Sequence, residues 1–449
     1  MATSIGSTAT LSGYSAGTGI DVQGTVDQIL YAERATERQW QAQQQTLADQ
    51  RSALQDLQGK LASFEDSVNA LKDFTGALGA VKASSSDSSV VTATADRTAS
   101  AVSHSVTVDQ LATTSSVYCD PLASASSTFT ADPLVLTIGG GPQVSINFDA
   151  SHNTLQGAAD FINNGDYGVT ASVVSDINGS RLALVSKQSG TAGDIQVVSS
   201  PPEMNFHVGT AAQDAKLTVD GVSLVSSTNM VTGAVQGVTL QLTGESAGRT
   251  VSVGVANDTD QAKQAIEDFV SNYNTLISTI NSQFTYDEST QTAGVLAGDA
   301  SVRGMQSTLL SAMSYAVTGN PNLTTLRSVG VEMNDDGTLT VNDDVLDQNL
   351  AAHYSDVKSF FQSTDNSGFA RALGGTMDML TDSTQGPLTL DMNGVDSTDK
   401  MLTQQIDDFE ERLTLRQQTL MDEYSKIDTT LRQFPTIQAQ LTAQLGSLP

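Results

Sequence analysis

The chain is 449 residues long, and at roughly 150 residues per domain this is too much for one core and enough for about three. Lys and Arg number 21 against 50 Asp and Glu, a net charge of −29, which argues against nucleic acid and anionic membranes as partners, since both need clustered cations. A single cysteine, Cys119, excludes an intrachain disulfide and a cysteine-built zinc cluster, so stability has to come from packing and assembly.

Residues 1 to 20 are almost entirely Ser, Thr, Gly and Ala and read as a mobile arm, because such a composition buries too little apolar surface to offset ordering. They have neither the basic leader nor the apolar core of a cleaved secretory signal. No apolar run approaches the ~20 residues needed to cross a bilayer, so the expectation is a soluble chain or one exported uncleaved. From Thr25 to Phe74 the spacing predicts a helix. Leu47, Leu54, Leu61 and Val68 recur every seven residues, as do Leu57, Phe64 and Leu71 in the second register, while Gln43 and Gln50 occupy the earlier positions. Gly76 and Gly79 supply its stop.

Between about Ser84 and Ala256 the period falls to two and the chain becomes strand-rich. Leu134, Leu136 and Ile138, a turn over Gly139 to Pro142, then Val144, Ile146 and Phe148 read as a hairpin. Leu155, Ala158, Ala159 and Ile162 follow at helical spacing, and a second hairpin is turned by Asn178-Gly179, which makes a ββαββ insertion. Leu217 to Leu224 across Asp220-Gly221, Val238 to Leu242 and Val251 to Val255 form a second sheet that could pair with Val102 to Leu111. Helical spacing returns at Ile266 to Phe284 and around Met305, Leu309 and Met313. After a short hairpin-like stretch from Val329 to Val341, the last hundred residues are helical. There Ile406, Leu413, Leu420, Ile427, Phe434 and Leu441 keep a strict seven-residue interval, widened by Phe409, Tyr424, Leu431 and Leu445. Pro435 lacks an N–H and is expected to kink or end this helix near Phe434.

The fold class this gives is α+β multidomain: an antiparallel helical stalk from both termini carrying nested β-rich head domains. The expected divisions are 1–39 as arm and leg helix, 40–79 as the first part of the stalk, and 80–118 with 210–256 as an inner head. Residues 119–209 are an inserted outer head, 257–434 the rest of the stalk, and 435–449 a C-terminal leg segment. Seams of this length leave apolar surface exposed in a monomer, so a homo-oligomer is expected, although the two seams also have the option of zipping together within one chain.

No reactive constellation stands out. Gly13-Tyr14-Ser15-Ala16-Gly17 matches the string of a nucleophile elbow but lacks the flanking strand and helix that strain and expose its serine. His104, His152, His207 and His353 are scattered, with no pair on one helix face. Glu332, Asn334, Asp336, Gly337 and Asp343 fall at positions of a calcium loop, yet the end residues are of the wrong length and a hairpin turned at Asp336-Gly337 is preferred. Asp407, Asp408, Glu410 and Glu411 read as a solvated helix face, and Cys119 as an incidental thiol in a polar loop. The expectation is therefore no catalysis, no cofactor and no metal.

Against that background the segments GTGIDV (17–22), Ala32-Glu33-Arg34, SSVVTATA (88–95), VTVDQLA (106–112), Thr154 to Asn163 with Gly168 to Ser172, the stretch from Asn229 ending in GVTLQL at Leu242, FVSNYNTL (269–276), Ala297-Gly298-Asp299, Gly330 to Val341 and Glu411-Arg412-Leu413 occur in one order along nearly the whole chain. Together they resemble the flagellar hook-associated protein 2 family, the filament cap proteins. His104 and Pro435 depart from that pattern. The resemblance implies a non-enzymatic, secreted homo-oligomer at the distal filament tip that retains exported flagellin and promotes its polymerisation by non-covalent binding. It also implies dealings with the flagellar type III export apparatus and an export chaperone, no nucleic acid and no membrane. On this reading Leu54, Leu57, Leu61, Phe64, Val68 and Leu71 with Ile406, Phe409, Leu413, Leu420 and Ile427 form the stalk core, and Asp21, Val22, Glu33 and Arg34 serve leg contacts. The competing readings are another flagellar axial protein and a tip adhesin that binds a host glycan.

Overall fold

The computed structural model of the chain describes residues 20–246, 248–288, 291–363 and 367–445. The expected arm, apart from Ile20, lies outside the described residues, as do the string Gly13 to Gly17 and the last four residues of the expected leg segment. The helices among the described residues are α1 (Val22–Glu33), α2 (Ala35–Lys72), α3 (Leu155–Asn164), α4 (Thr259–Phe284), α5 (Ala300–Met313), α6 (Leu326–Val329), α7 (Asp343–Ala352), α8 (Tyr354–Phe361), α9 (Phe369–Leu380) and α10 (Pro387–Leu445). None is long and apolar enough to cross a membrane. By contacts the chain forms two compact units, one drawn from 1–72, 267–346 and 359–449, the other from 73–266 and 347–358.

The first unit is helical. On α2 the heptad residues Leu54, Leu57, Leu61, Phe64, Val68 and Leu71 are all fully buried, while Leu47 is half-buried. Each such burial contributes about 1.5–3 kcal/mol, so this stripe is the main reason a 38-residue helix holds its position. The partners of its C-terminal half are α9 and α4: the Phe64 ring lies 5.4 Å from Phe269 and 5.5 Å from Tyr273, and Phe269 meets Phe369 of α9 at 6.1 Å. The expected single helix from Thr25 to Phe74 is in fact two, α1 and α2, with a one-residue break at Arg34.

Pro435 does not end α10, which runs on to Leu445. The proline removes one N–H and so leaves only the Leu431 carbonyl without its partner, and Arg432 to Leu445 are exposed, so water can replace that bond at little cost.

The expected hairpin after α6 is present, Val331–Met333 against Leu339–Val341, with Gly337 in the left-handed region (φ 82°) at its turn. The side chain of Asn274 on α4 brackets it, accepting from Leu339 N at 2.6 Å and donating to Leu339 O at 2.7 Å. The calcium-like carboxylate at its turn is spent internally: Asp336 accepts from Thr338 N at 3.0 Å and from Thr338 Oγ1 at 2.6 Å.

The second unit is strand-rich and antiparallel. Val81–Ser85, Val251–Asn257, Ser103–Gln110, Ala215–Val219 and Val222–Ser226 form a five-stranded sheet in that order, and Met230–Val235, Val238–Leu242 and Val91–Ala95 a three-stranded one. Their facing apolar residues close one core, including Val106, Val108, Leu217, Leu240 and Val253. Thus Val238–Leu242 shares a core with the strands expected beside it but sits in a different sheet. Asp220 and Gly221 both have positive φ (49° and 83°), the turn that the Asp-Gly pair signals.

The second core belongs to residues 117–204. It joins α3 to a four-stranded sheet, in order Phe206–Thr210, Thr114–Cys119, Gly179–Ser189 and Val169–Asp176, and to a three-stranded sheet of Val144–Ile146, Leu134–Ile138 and Ile195–Ser199. Both expected hairpins exist, each in its own sheet. Cys119 is not in a loop: it ends a strand, is fully buried, accepts a hydrogen bond from Leu182 N at 3.1 Å, and burial pushes its thiol up from the ordinary value. Two asparagines brace this unit as Asn274 braces the other. Asn163 brackets both backbone groups of Ala171 (2.8 Å each), and Asn229 those of Ala112 (2.8 and 2.9 Å).

Adjacent residues of α4 give opposite tests. The Tyr273 hydroxyl is buried with no hydrogen-bond partner among the described residues, so Tyr273→Phe should raise the unfolding free energy by about 1–2 kcal/mol. Asn274→Ala removes two buried-side bonds and should lower it by about 2–3 kcal/mol. Urea midpoints at unchanged slope measure both, and a destabilised Tyr273→Phe would show that its hydroxyl has a partner.

Candidate functional site

The terminal helices meet in one register. Ile20 N donates to Asp428 Oδ1 at 2.8 Å, Glu33 lies 3.6 Å from Arg416, Arg34 grips Glu410, the Trp40 ring stands edge-on to Phe409 at 5.5 Å, Gln44 Nε2 donates to Thr403 Oγ1 at 2.9 Å, and Arg51 reaches Asp396 at 3.4 Å. As α1 and α2 advance, their partners on α10 step back, which defines an antiparallel pair. Its apolar strip consists of Val26 and Leu30 on α1 against Leu413 and Leu420 on α10, flanked by Val22, Ile29, Phe409, Met421 and Tyr424.

Arg34 sits at the break between α1 and α2, and its guanidinium is shared. It donates to Glu37 Oε2 at 2.7 Å and, through both terminal nitrogens, to the Glu410 carboxylate, the second of these bonds at 2.8 Å. The hydrogen bond from Arg34 holds the Glu410 carboxyl below the ordinary range, against the opposing effect of burial. Glu37 is 6% exposed, unusual for an unpaired acid and accounted for by this clamp. Sequence reasoning placed Glu410 on a solvated face. The signal for its pairing was available only once the antiparallel register put Arg34 opposite it.

The expected stalk residues divide into two places. Leu54 to Leu71 face α4, α9 and the start of α10, whereas Leu413 and Leu420 face α1, so the two heptad runs are not each other's main partners. Ile406 and Phe409 are half-buried, and Ile427 is 45% exposed. Of the expected leg residues, Asp21 caps α1 by accepting from Gly24 N at 3.0 Å, Val22 packs on the α1–α10 strip, and Glu33 and Arg34 are in the ion pairs just given. Beyond Asp428 the α10 stripe continues with Phe434 (63% exposed), Ile437 (48%), Leu441 (54%) and Leu445 (63%), and nothing among the described residues packs over it.

The histidines are each turned to a separate aspartate: His104 to Asp220 (2.7 Å), His152 to Asp149 (2.8 Å), His207 to Asp120 (2.8 Å) and His353 to Asp356 (3.6 Å). No group of three or more His, Cys, Asp or Glu side chains among the described residues could hold a metal ion.

Residues 18–115 match the family profile of the flagellar hook-associated protein 2 N-terminus, and residues 212–435 that of its C-terminus. The chain belongs to the flagellar hook-associated protein 2 family. It is 29% identical to the B-type flagellar hook-associated protein 2 of Pseudomonas aeruginosa over 398 residues, 82% of this chain and 83% of that one. It is 26% identical to the flagellar hook-associated protein 2 of Escherichia coli over 464 residues, 97% of this chain and 98% of that one. Among solved structures, the D1-D2-D3 domains of the flagellar cap protein FliD from Escherichia coli superpose with a TM-score of 0.60 at 26% identity, covering 77% of this chain and 99% of that one. The hook-associated protein 2 family makes this a protein of the bacterial flagellum, with relatives that cap the distal end of the filament. Between the two matched stretches lie residues 116–211, which contain the core built around α3.

The Arg34 clamp carries a pH dependence. A carboxyl depressed in the folded state contributes stability above its unfolded value, about 4.3 for Glu, and that contribution is lost as pH falls through the folded value. Because Arg34 and Glu410 are each 39% exposed, the effect is screened and about 0.2–1 kcal/mol. Arg34→Ala should accordingly speed amide exchange of Val26 and Leu30 up to about fivefold at neutral pH and leave it unaltered in strong acid; equal exchange at both would mean the clamp does not hold α1.

Proposed function

We propose that this chain caps the flagellar filament as a homo-oligomer, retaining flagellin exported to the tip and promoting its addition without covalent chemistry. The observation that carries this reading is the stripe on α10 that no described residue covers. A heptad pattern that α1 covers at Leu413 and Leu420 goes on for several turns past Asp428 with its apolar residues exposed among the described residues. Apolar helix faces of this kind are stable only when another helix covers them, and the partner that suits a filament tip is a helix of the neighbouring filament subunit. No single side chain there is deeply pocketed, so each contact is weak, and several copies acting together hold the cap by multivalency while any one contact can release and rebind as a subunit enters.

Family membership and the likeness to the Escherichia coli cap protein support the tip location. Passage through the type III export channel with the help of a chaperone fits a chain whose single cysteine forms no disulfide to be undone before unfolding.

Phe434→Glu combined with Leu441→Glu tests the reading without touching a core, since both side chains are more than half exposed. The purified variant should unfold at the parent's midpoint, while cells carrying it should lose motility and release flagellin into the medium. Antibody to the parent protein should label filament ends alone. Labelling along the whole filament, or normal swimming by the double variant, would overturn the assignment.

A further inference from the structure

The N-cap of α5 and the second turn of α10 bring two carboxyl groups to one serine, with no cation paired to either among the described residues. Asp299 caps α5, its Oδ1 accepting from Ser301 N at 2.8 Å and from Val302 N at 3.1 Å. Asp391, on the second turn of α10, accepts from Ser301 Oγ at 3.1 Å through Oδ1. Both acids therefore converge on one serine. Asp391 Oδ2 is buried with no donor among the described residues, and the Asp299 carboxyl is held on the same serine. Two carboxylates held on one serine repel each other when both are ionised, whereas a proton on one of them removes that repulsion and supplies the donor that Oδ2 lacks.

The cations carried by the packed elements are committed elsewhere. Arg303 of α5 lies over the Phe284 ring at 5.0 Å and donates to Ala297 O at 3.2 Å, and Arg51 of α2 faces Asp396 at 3.4 Å. Asp299 is the charge that acts on Asp391. A cavity of about 310 Å³, lined by Gln50, Leu54, Leu296, Asp299 and Val395, opens at the Asp299 side of the pair.

We propose that Asp299 and Asp391 form a proton-shared clasp that fastens the start of the long helix α10 to the start of α5, tight in acid and loosened as the shared proton leaves. Burial first, and the Asp299 charge second, raise the Asp391 carboxyl above the ordinary range. For an acid raised in the folded state the contribution is fully present below the unfolded value, about 3.9, and disappears as pH rises through the folded one. This is opposite in sign to the Arg34 clamp.

The test compares thermal unfolding of the full chain and of Asp391→Asn from about pH 4 to about pH 8. The amide keeps the size and supplies the proton permanently. The variant's midpoint should equal the parent's in acid and exceed it by about 2–4 °C near neutrality. Asp299→Asn, which preserves the helix cap because Asn caps as well as Asp, should show the same trend, and the double variant should gain less than the sum of the two. Midpoint differences that stay constant with pH, or strict additivity of the two substitutions, would overturn the clasp.

Discussion

The constraint on which the helical unit depends is the antiparallel register between the first two helices and the last one. Its components act differently. The apolar strip of Val26, Leu30, Leu413 and Leu420 removes surface from water and carries the energy, while the exposed or half-exposed pairs around it contribute little each. What those pairs supply is alignment: Arg34 with Glu410, Arg416 with Glu33 and Arg51 with Asp396 are satisfied together only in one sliding position. Among the described residues the strip on α10 outlasts its cover, and that exposed continuation is the surface on which the proposed docking rests.

Three asparagines show a second economy of construction. Asn163, Asn229 and Asn274 each hold both backbone groups of one residue in another segment, acting as a one-residue strand where no strand is available. All three fall inside stretches that carry the resemblance to the cap-protein family. Their role is structural: they pin α3 to its sheet, one sheet of the inner core to the other, and a hairpin to α4.

The sequence pattern disclosed much of this fold where a period was strict. Leu54 to Leu71 declared a buried helix face, Leu134 to Phe148 a hairpin turned over Gly139 to Pro142, and Asp220-Gly221 the turn of a separate hairpin, because side-chain spacing reports directly which face is dry. Partner choice was not legible in the same way. A heptad states that a face is covered and not by what, so Leu54 and Phe64 were matched with Leu413 and Leu420, whereas Phe64 meets Phe269 and Tyr273 and Leu54 lines a cavity with Leu296 and Val395. Glu410 and Cys119 were misplaced for a related reason: polar composition around a residue says nothing of a cation or a strand brought up from distant sequence. Pro435 was given too much weight, since loss of one hydrogen bond breaks a helix less readily where water can reach the freed carbonyl.

Spin labels read the register most directly. With Cys119 replaced by alanine, cysteines at the exposed positions Tyr31, Gln45, Thr403 and Leu415 can be labelled in pairs. The account predicts that Tyr31 with Leu415 and Gln45 with Thr403 are close, and that the exchanged pairs, Tyr31 with Thr403 and Gln45 with Leu415, are longer by more than about 10 Å, as the helical rise over a dozen residues requires. Equal distances for matched and exchanged pairs, or shorter ones for the exchanged, would contradict it.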